Sequence, residues 1–442
     1  MSRLFYIKTF GCQMNEHDSA KMALLLEAQG YAPSDDPFAS DLVLFNTCTI
    51  REKAHHKAMS ELGRAAEIKR RNPGALIGVS GCVAQEMGSR ILERFPEIDF
   101  VFGPDQLWRL PEMIERAMAG ERTTALDLVD DLAEYRFLGL TPPVIDRLPL
   151  VTAFVTVMKG CNCACSYCIV PSVRGREISR PVDEIVEEVR RLVEAGAKEV
   201  TMLGQNVCAY GKGSGSSLAA LIRRVADETD IMRIRFTSPH PRDVTDELVR
   251  EYRDNPKLAP HIHLPVQAGS NEVLRRMRRG YTRERYMEIA QDLRQARPGI
   301  SITTDLIVGF CGETDADFEE TLGLMQSVEF DSAFAFKYSS RPGTEAAERM
   351  QDDVPQAVKE SRLKQLLDLQ RASSRRRNES LVGSTGDVLA AGLDRMGNGL
   401  VTGRLADNRI VHFAGQGGQI GSIVRVRITA ANDNSLAGEA TG

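Results

Sequence analysis

The chain has 442 residues, 42% of them hydrophobic and 26% charged, with a formal net charge of −5. That length holds roughly two to four domains and the composition is globular; the charge excludes a surface that is cationic throughout, so any nucleic-acid site must be a local patch. No apolar run is long enough to span a bilayer and the first ten residues lack a secretory signal's apolar core, so a cytoplasmic protein with no membrane partner is expected, its nine cysteines serving as metal ligands or buried thiols rather than disulfides.

From residue 3 to 120, short apolar runs alternate with helical patterns. The runs are Leu4–Phe10, Asp41–Asn46, Ala75–Ser80 and Ile98–Phe102; the helical stretches are Met14–Ala28, Arg51–Arg70, Ala84–Arg94 and Leu107–Ala119. This alternation predicts an α/β domain with a parallel sheet. Three of the strands run into a cysteine: Gly11-Cys12-Gln13, Asn46-Thr47-Cys48 and Gly81-Cys82-Val83. The cysteines are 36 and 34 residues apart, about one strand–helix unit each. Carboxyl ends of parallel strands share one edge, where ligands bind, so the three thiols are expected to meet there. The alternative is three separate buried thiols.

Residues 121–150 carry Asp127, Asp130, Asp131, Glu134, Pro142, Pro143 and Pro149, a linker composition. A second alternating stretch has strand candidates Val151–Val157, Glu199–Leu203, Arg233–Thr237, Ile262–Val266, Ser301–Val308 and Ala333–Tyr338. Six units predict an open (β/α)6 partial barrel rather than a closed eight-fold one. A helix over 356–380 follows, with Val358, Leu363, Leu366, Leu367 and Leu369 as its apolar positions. The last 60 residues are Gly-rich with short β runs, including Arg409–Phe413 and Ile423–Ile428, and predict a small antiparallel barrel.

Directly after the first strand of the second stretch stands Cys161-Asn162-Cys163-Ala164-Cys165-Ser166-Tyr167-Cys168. Cys161, Cys165 and Cys168 form C-x3-C-x2-C. Thiolates are the usual ligands of an iron–sulfur cube, and close spacing lets one loop wrap it. Three ligands leave one iron open to the amino and carboxylate groups of S-adenosylmethionine, whose one-electron cleavage gives an adenosyl radical. Zinc is the rival, with Cys163 as fourth ligand. Tyr167 either packs on the adenine of that cofactor or is a core aromatic. Gly204-Gln205-Asn206 ends the second barrel strand, where Gly204 and Gln205 either meet the methionine end of the cofactor or make a tight turn. His240, His261 and His263 read as structural histidines, with His240 bordering the barrel mouth. Glu313 reads as a helix-start residue.

The chain resembles the radical S-adenosylmethionine methylthiotransferase family over nearly its whole length. The resemblance rests on GCQMNEHDS, NTCTIREKA and GCVAQE in the first domain. In the second it rests on GCNCACSYCIVPSVRG, ISRP, LGQNV, LPVQAGS, TDLIVGF and YSSRPGT. It implies domains at 1–140, 147–377 and 378–442, the last resembling a TRAM RNA-binding module. It also implies two [4Fe–4S] clusters, an auxiliary one on Cys12, Cys48 and Cys82 and a radical one on Cys161, Cys165 and Cys168. Cys163 with Ala164, Cys208 and Cys311 depart from the family pattern without removing an expected ligand; Cys208 and Cys311 are expected to be small buried hydrophobes.

The NTCTIREKA stretch looks most like the branch that methylthiolates C2 of N6-isopentenyladenosine at tRNA position 37. One S-adenosylmethionine would methylate a sulfur on the auxiliary cluster and a second would yield the radical, which requires the two triads to open onto a shared cavity. The resemblance implies an anticodon stem-loop as substrate, a flavodoxin or ferredoxin as electron donor, and a monomer. Two basic stretches are candidates for phosphate contact: Arg275, Arg276, Arg278, Arg279, Arg283 and Arg285, and Arg371, Arg375, Arg376 and Arg377 leading to Arg404, Arg409, Arg425 and Arg427. Residues 371–442 hold nine Lys and Arg against six Asp and Glu, reversing the sign of the whole chain. The alternatives are a threonylcarbamoyl-adenosine or ribosomal-protein substrate, or a zinc-stabilised RNA-binding protein without catalysis.

Overall fold

A computed structural model describes residues 3–49, 52–139, 150–394 and 399–441. The prolines at 142, 143 and 149 lie outside the described residues. By internal contacts the chain forms two units. One is Met1–Pro142 with Met158–Cys163 and Ile169–Arg180; the other is Pro143–Val157, Ala164–Cys168 and Pro181–Gly442. Met158–Cys163 and Ile169–Arg180 thus belong with the N-terminal unit. The Lys159 ammonium and the Asp105 carboxylate, 2.6 Å apart and both buried, hold the first of these segments there.

In the first unit, β1 (Leu4–Thr9), β2 (Ala32–Pro33), β3 (Leu42–Thr47), β4 (Leu76–Gly81), β5 (Phe100–Phe102) and β6 (Thr123–Ala125) form one sheet in the order β2-β1-β3-β4-β5-β6. Every pairing is parallel. The sheet is covered on both faces, so β3 can be apolar at consecutive positions. Leu42 and Leu44 pack with Met22 and Leu26 of helix Gln13–Ala28, whereas Val43 and Phe45 pack with Ala58 and Leu62 of helix Glu52–Leu62. The two crossover helices therefore lie on opposite faces. The order in which strands are added switches between β1 and β3, and in parallel α/β sheets ligands bind at the carboxyl ends beside such a switch.

Two expected helices are each broken. Arg51–Arg70 becomes Glu52–Leu62 and Ala65–Arg71, and Ala84–Arg94 becomes Cys82–Met87 and Arg90–Arg94. At the second break Gly88 takes φ +57, which a side-chain-free residue adopts readily. Part of the expected linker is ordered: β6 adds the edge strand.

In the second unit, β7 (Thr152–Thr156) begins the core; the chain then runs through β8 (Met158–Lys159) and β9 (Ile178–Ser179) of the first unit. There follow β10 (Glu199–Leu203), β11 (Arg233–Phe236), β12 (His261–His263), β13 (Ser301–Val308) and β14 (Ser332–Lys337). The six core strands fall where the pattern places them. They form two parallel three-stranded sheets, β11-β10-β7 and β12-β13-β14, with isolated bridges from Ile234 to Leu258 and from Gln267 to Leu306. An open, incomplete barrel matches that break.

Of the apolar positions expected of helix Gln356–Glu379, Leu366 alone is fully buried. The helix's buried positions are Lys359, Arg362, Leu366, Gln370, Ser373, Ser374 and Asn378, while Leu367 is exposed. The buried stripe is polar because each group finds a partner. Arg362 pairs with Glu313 at 2.7 Å, and Gln370 donates to the Phe330 carbonyl at 2.9 Å. Beyond it, β15 (Thr385–Leu393), β16 (Leu400–Arg404), β17 (Ile410–Ala414), β18 (Ile423–Ala431) and β19 (Leu436–Ala440) close a barrel in the order β15-β16-β17-β19-β18. It is not wholly antiparallel: β17 and β19 run parallel.

Candidate metal centres

Cys12, Cys48 and Cys82 each follow the carboxyl end of a strand, and those strands, β1, β3 and β4, are adjacent in the sheet. Cys48 and Cys82 are 1% exposed. Glycines let the backbones close in. A Cβ on Gly11, at φ +112, would stand 2.2 Å from the Cys48 Cβ, and one on Gly81, at φ +92, would stand 2.2 Å from the Thr47 carbonyl oxygen. Both are backbone conformations that L side chains rarely adopt. Asn15, fully buried, braces the site. Its Nδ2 donates to Asn46 Oδ1 and to the Thr47 carbonyl, both at 2.9 Å, and its Oδ1 accepts from the Cys12 thiol at 3.2 Å.

The hydrogen bond from Cys48 brings the Cys12 thiol down to about 6, against the opposing effect of burial. Cys12 also caps the 16-residue helix Gln13–Ala28, whose dipole favours a thiolate. Burial pushes the Cys82 thiol up, with Arg174 pulling the other way. Helix Val170–Arg174 packs on Cys82 through Ile169 and Val173 and delivers that guanidinium. Three thiols outside any disulfide, a buried cation and a backbone cleared of side chains fit an anionic iron–sulfur cluster.

The second cysteine motif lies in irregular chain between β8 and helix Val170–Arg174. In the first unit, Cys163 N–H points to Cys161 Sγ at 3.4 Å, and Glu177 completes a group of three possible ligands with them. In the second unit, Cys168 N–H donates to the Cys165 carbonyl at 3.0 Å, the i to i+3 turn that closes C-x2-C. Ser166 fastens this half of the loop. Its N–H donates to the Met277 carbonyl at 3.1 Å, its Oγ to the Arg276 carbonyl at 2.8 Å, and its carbonyl accepts from Ala346 N–H at 2.7 Å.

Tyr167 packs on the apolar cluster around Phe310 and Tyr338, with the Phe310 ring edge-on at 6.4 Å. Gly204 and Gln205 follow β10 directly, and the neighbouring Asn206 is buried. Asn206 Nδ2 donates to Asp243 at 2.7 Å and its Oδ1 accepts from His240 N–H at 3.2 Å. Glu313 is not a helix cap: it accepts from Gly309 N–H at 2.8 Å and pairs with Arg362, while Thr314 and Asp317 form the capping box. Cys311 is buried as expected of a small core group, whereas Cys208 is only half-buried; desolvation raises both thiols.

The expected arginine rows separate. Arg275 and Arg285 are exposed with Glu272 and Glu288 beside them, and Arg278 pairs with Glu345. Arg279 leaves the row and is buried, because its side chain turns inward to Cys165. Arg377 and Arg409 both pair with the buried carboxylate of Asp331, so they hold the barrel to helix Gln356–Glu379. Arg375 and Arg376 are exposed near Glu379 and Glu329. Arg425 and Arg427 lie on the outer face of β18 with Asp387 and Glu439 as exposed partners. Arg174, Arg279 and Asn15 were not assigned to either centre from sequence, although Arg174 and Asn15 stand inside the quoted motifs.

Comparison with known proteins follows this architecture. Residues 155–325 match the Radical SAM superfamily, residues 379–441 the TRAM domain, and residues 4–103 a family described as Uncharacterized protein family UPF0004. The chain is 48% identical to the tRNA-2-methylthio-N(6)-dimethylallyladenosine synthase of Alkalilimnicola ehrlichii, covering 100% of this chain and 98% of the relative. It is 49% identical to the protein of the same name from Geobacter sulfurreducens, covering 99% and 97%. Among solved structures, the radical S-adenosylmethionine methyltransferase TsrM from Kitasatospora setae, with tryptophan and a cofactor analogue bound, superposes with a TM-score of 0.57 at 17% identity, covering 78% of this chain and 75% of that one. That likeness bears on the fold. The full-length identities carry the assignment: the chain belongs to the tRNA-2-methylthio-N(6)-dimethylallyladenosine synthase family of radical S-adenosylmethionine enzymes.

Proposed function

We propose that this protein is the tRNA methylthiotransferase that places a methylthio group on C2 of N6-isopentenyladenosine at position 37. The carrying observation is the thiol trio at the ends of β1, β3 and β4, a second cysteine centre in addition to the C-x3-C-x2-C motif. Methylthiolation needs a sulfur source as well as a radical, and a second cluster can carry that sulfur. Cys12, Cys48 and Cys82 hold the auxiliary [4Fe–4S] cluster; Cys161, Cys165 and Cys168 hold the radical cluster. When bound, these clusters with S-adenosylmethionine supply hydrogen abstraction from an unactivated carbon and a sulfur to replace it.

The chain's own groups hold and shield these cofactors. Cys12 is poised as a thiolate at neutral pH, and Arg174 offsets negative charge beside Cys82. Tyr167 offers a ring to the adenine of the cofactor, and Gly204 and Gln205 offer backbone to its methionine end. Loop bases can be splayed out and read, unlike bases in an A-form helix. Arg375, Arg376, Arg425 and Arg427 contact the phosphates of the anticodon stem-loop; Arg377 serves the fold. A flavodoxin or ferredoxin supplies electrons to the monomer. Among the described residues no helix is long and apolar enough to cross a membrane.

Iron analysis and two variants test this reading. Anaerobically reconstituted protein should hold about eight irons. Cys165→Ala should abolish cleavage of S-adenosylmethionine, and Cys48→Ala should retain cleavage but stop methylthiolation. Methylthiolation by Cys48→Ala, or zinc in place of iron, would overturn it.

A further inference from the structure

Two donors converge on the Cys165 sulfur. Arg279 Nη1 lies 3.3 Å from Sγ, and His240 Nε2 lies 3.8 Å from it. Both side chains are buried, at 4% and 7% exposure. Arg279 is fixed by two further bonds, from Nη2 to the Pro265 carbonyl at 2.8 Å and from Nε to the Tyr281 hydroxyl at 3.0 Å. Tyr281 is itself tied to the Val266 carbonyl at 2.7 Å. Among the described residues, no carboxylate pairs with Arg279. A buried guanidinium is costly without an anionic partner, and the group it faces is the Cys165 sulfur.

His240 is oriented as firmly. Its Nδ1 accepts from Arg242 N–H at 3.2 Å, so in the neutral ring the proton sits on Nε2 and points toward Cys165. Asn206 holds the His240 backbone. The chain spends backbone strain on both placements. Arg278, next to Arg279, has φ +54, and Ser238, two residues before His240, has φ +59. Non-glycine residues rarely occupy this region, and such strain gathers at functional sites.

We propose that Arg279 and His240 are positioning residues that hold a positive charge and an N–H against the Cys165 sulfur and so raise the reduction potential of the cluster in this loop. This rests on Cys165 being a ligand of the radical cluster. Reduction adds one electron from an external donor, and the extra negative charge spreads onto the ligand sulfurs. Donors at those sulfurs therefore stabilise the reduced form over the oxidised one. They ease electron delivery without touching substrate.

The test is a potentiometric titration of the reconstituted full chain, followed by the electron paramagnetic resonance of the reduced cluster with and without S-adenosylmethionine. Cys12→Ala, Cys48→Ala and Cys82→Ala together leave one cluster to titrate. In that background Arg279→Gln should weaken one-electron reduction at least tenfold, about 59 mV to more negative potential. His240→Phe should shift it the same way by less, and Arg279→Lys should recover part of the loss. Where Arg279→Gln fails to load iron, Arg279→Lys and His240→Phe decide by the same reading. Unchanged potentials in iron-loaded variants overturn the proposal alone. A parent protein whose signal ignores S-adenosylmethionine overturns the assignment of Cys165 and the proposal with it.

Discussion

Arg174 Nη2 donates to Asp18 Oδ2 at 2.9 Å, and the same guanidinium hydrogen-bonds the Cys82 thiol. The pair is buried, with side chains 9% and 13% exposed. Breaking a buried pair leaves its partner uncompensated, at a cost of about 3–5 kcal/mol. Arg174→Ala should therefore lower unfolding free energy by that order in denaturant titrations of the apo protein. After reconstitution it should also hold about four fewer irons, one cube's worth.

Cys12 and Cys82 should differ in reactivity. The Cys12 thiol is held near 6 by the hydrogen bond from Cys48, while burial raises Cys82. A lowered value means that the thiolate, the reactive form, is present above that pH and lost below it. In apo protein, the alkylation rate of Cys12 by iodoacetamide should climb from pH 5 to about 7 and then flatten. Cys82 should stay unmodified across that range. Peptide mass spectrometry after timed quenching reads both sites.

Gly11→Ala should damage the auxiliary centre while changing only one methyl group. The added Cβ would meet Cys48 at 2.2 Å in a backbone conformation reserved for glycine. A cost of about 1–3 kcal/mol is expected from overpacking. The melting temperature should fall, and iron should drop toward one cube. Gly30→Ala is the control: Gly30 shares a positive φ, at +81, but its Cβ would meet nothing within 4 Å. It should lose stability to backbone strain alone and keep its iron.

The arginines near the barrel should divide by burial. Arg425 and Arg427 are paired only at the surface, where ion pairs contribute about 0–1 kcal/mol. Replacing both by Ala should leave stability nearly unchanged, weaken tRNA binding, and flatten its salt dependence by about one unit per lost phosphate contact. Arg377→Ala should instead destabilise the fold, because the buried Asp331 carboxylate loses one of its two arginine partners. Filter binding at several salt concentrations, beside a thermal melt, separates the two effects.

Much of the architecture was legible because it is written locally. Strand-end cysteines at Cys12, Cys48 and Cys82 share a spacing that follows from the strand–helix unit, and C-x3-C-x2-C sits in one loop. What was not legible depends on side chains meeting at long range. Arg279 looks like its neighbours in a row of arginines; only the left-handed turn at Arg278 aims it at Cys165, 114 residues earlier. Helix Gln356–Glu379 buries Arg362 and Gln370 because Glu313 and the Phe330 carbonyl wait for them, which no periodicity reveals. Arg377 read as a phosphate contact until Asp331 supplied its partner. The parallel pairing of β17 with β19 is likewise set by closure of the barrel rather than by alternation.

The most direct measurement is nucleoside mass spectrometry of tRNA from cells lacking this protein, compared with cells in which it is restored. The expected result is that 2-methylthio-N6-isopentenyladenosine disappears, that N6-isopentenyladenosine accumulates in its place, and that restoration by the Cys48→Ala variant fails. Persistence of the methylthio nucleoside in the deletion strain would contradict it.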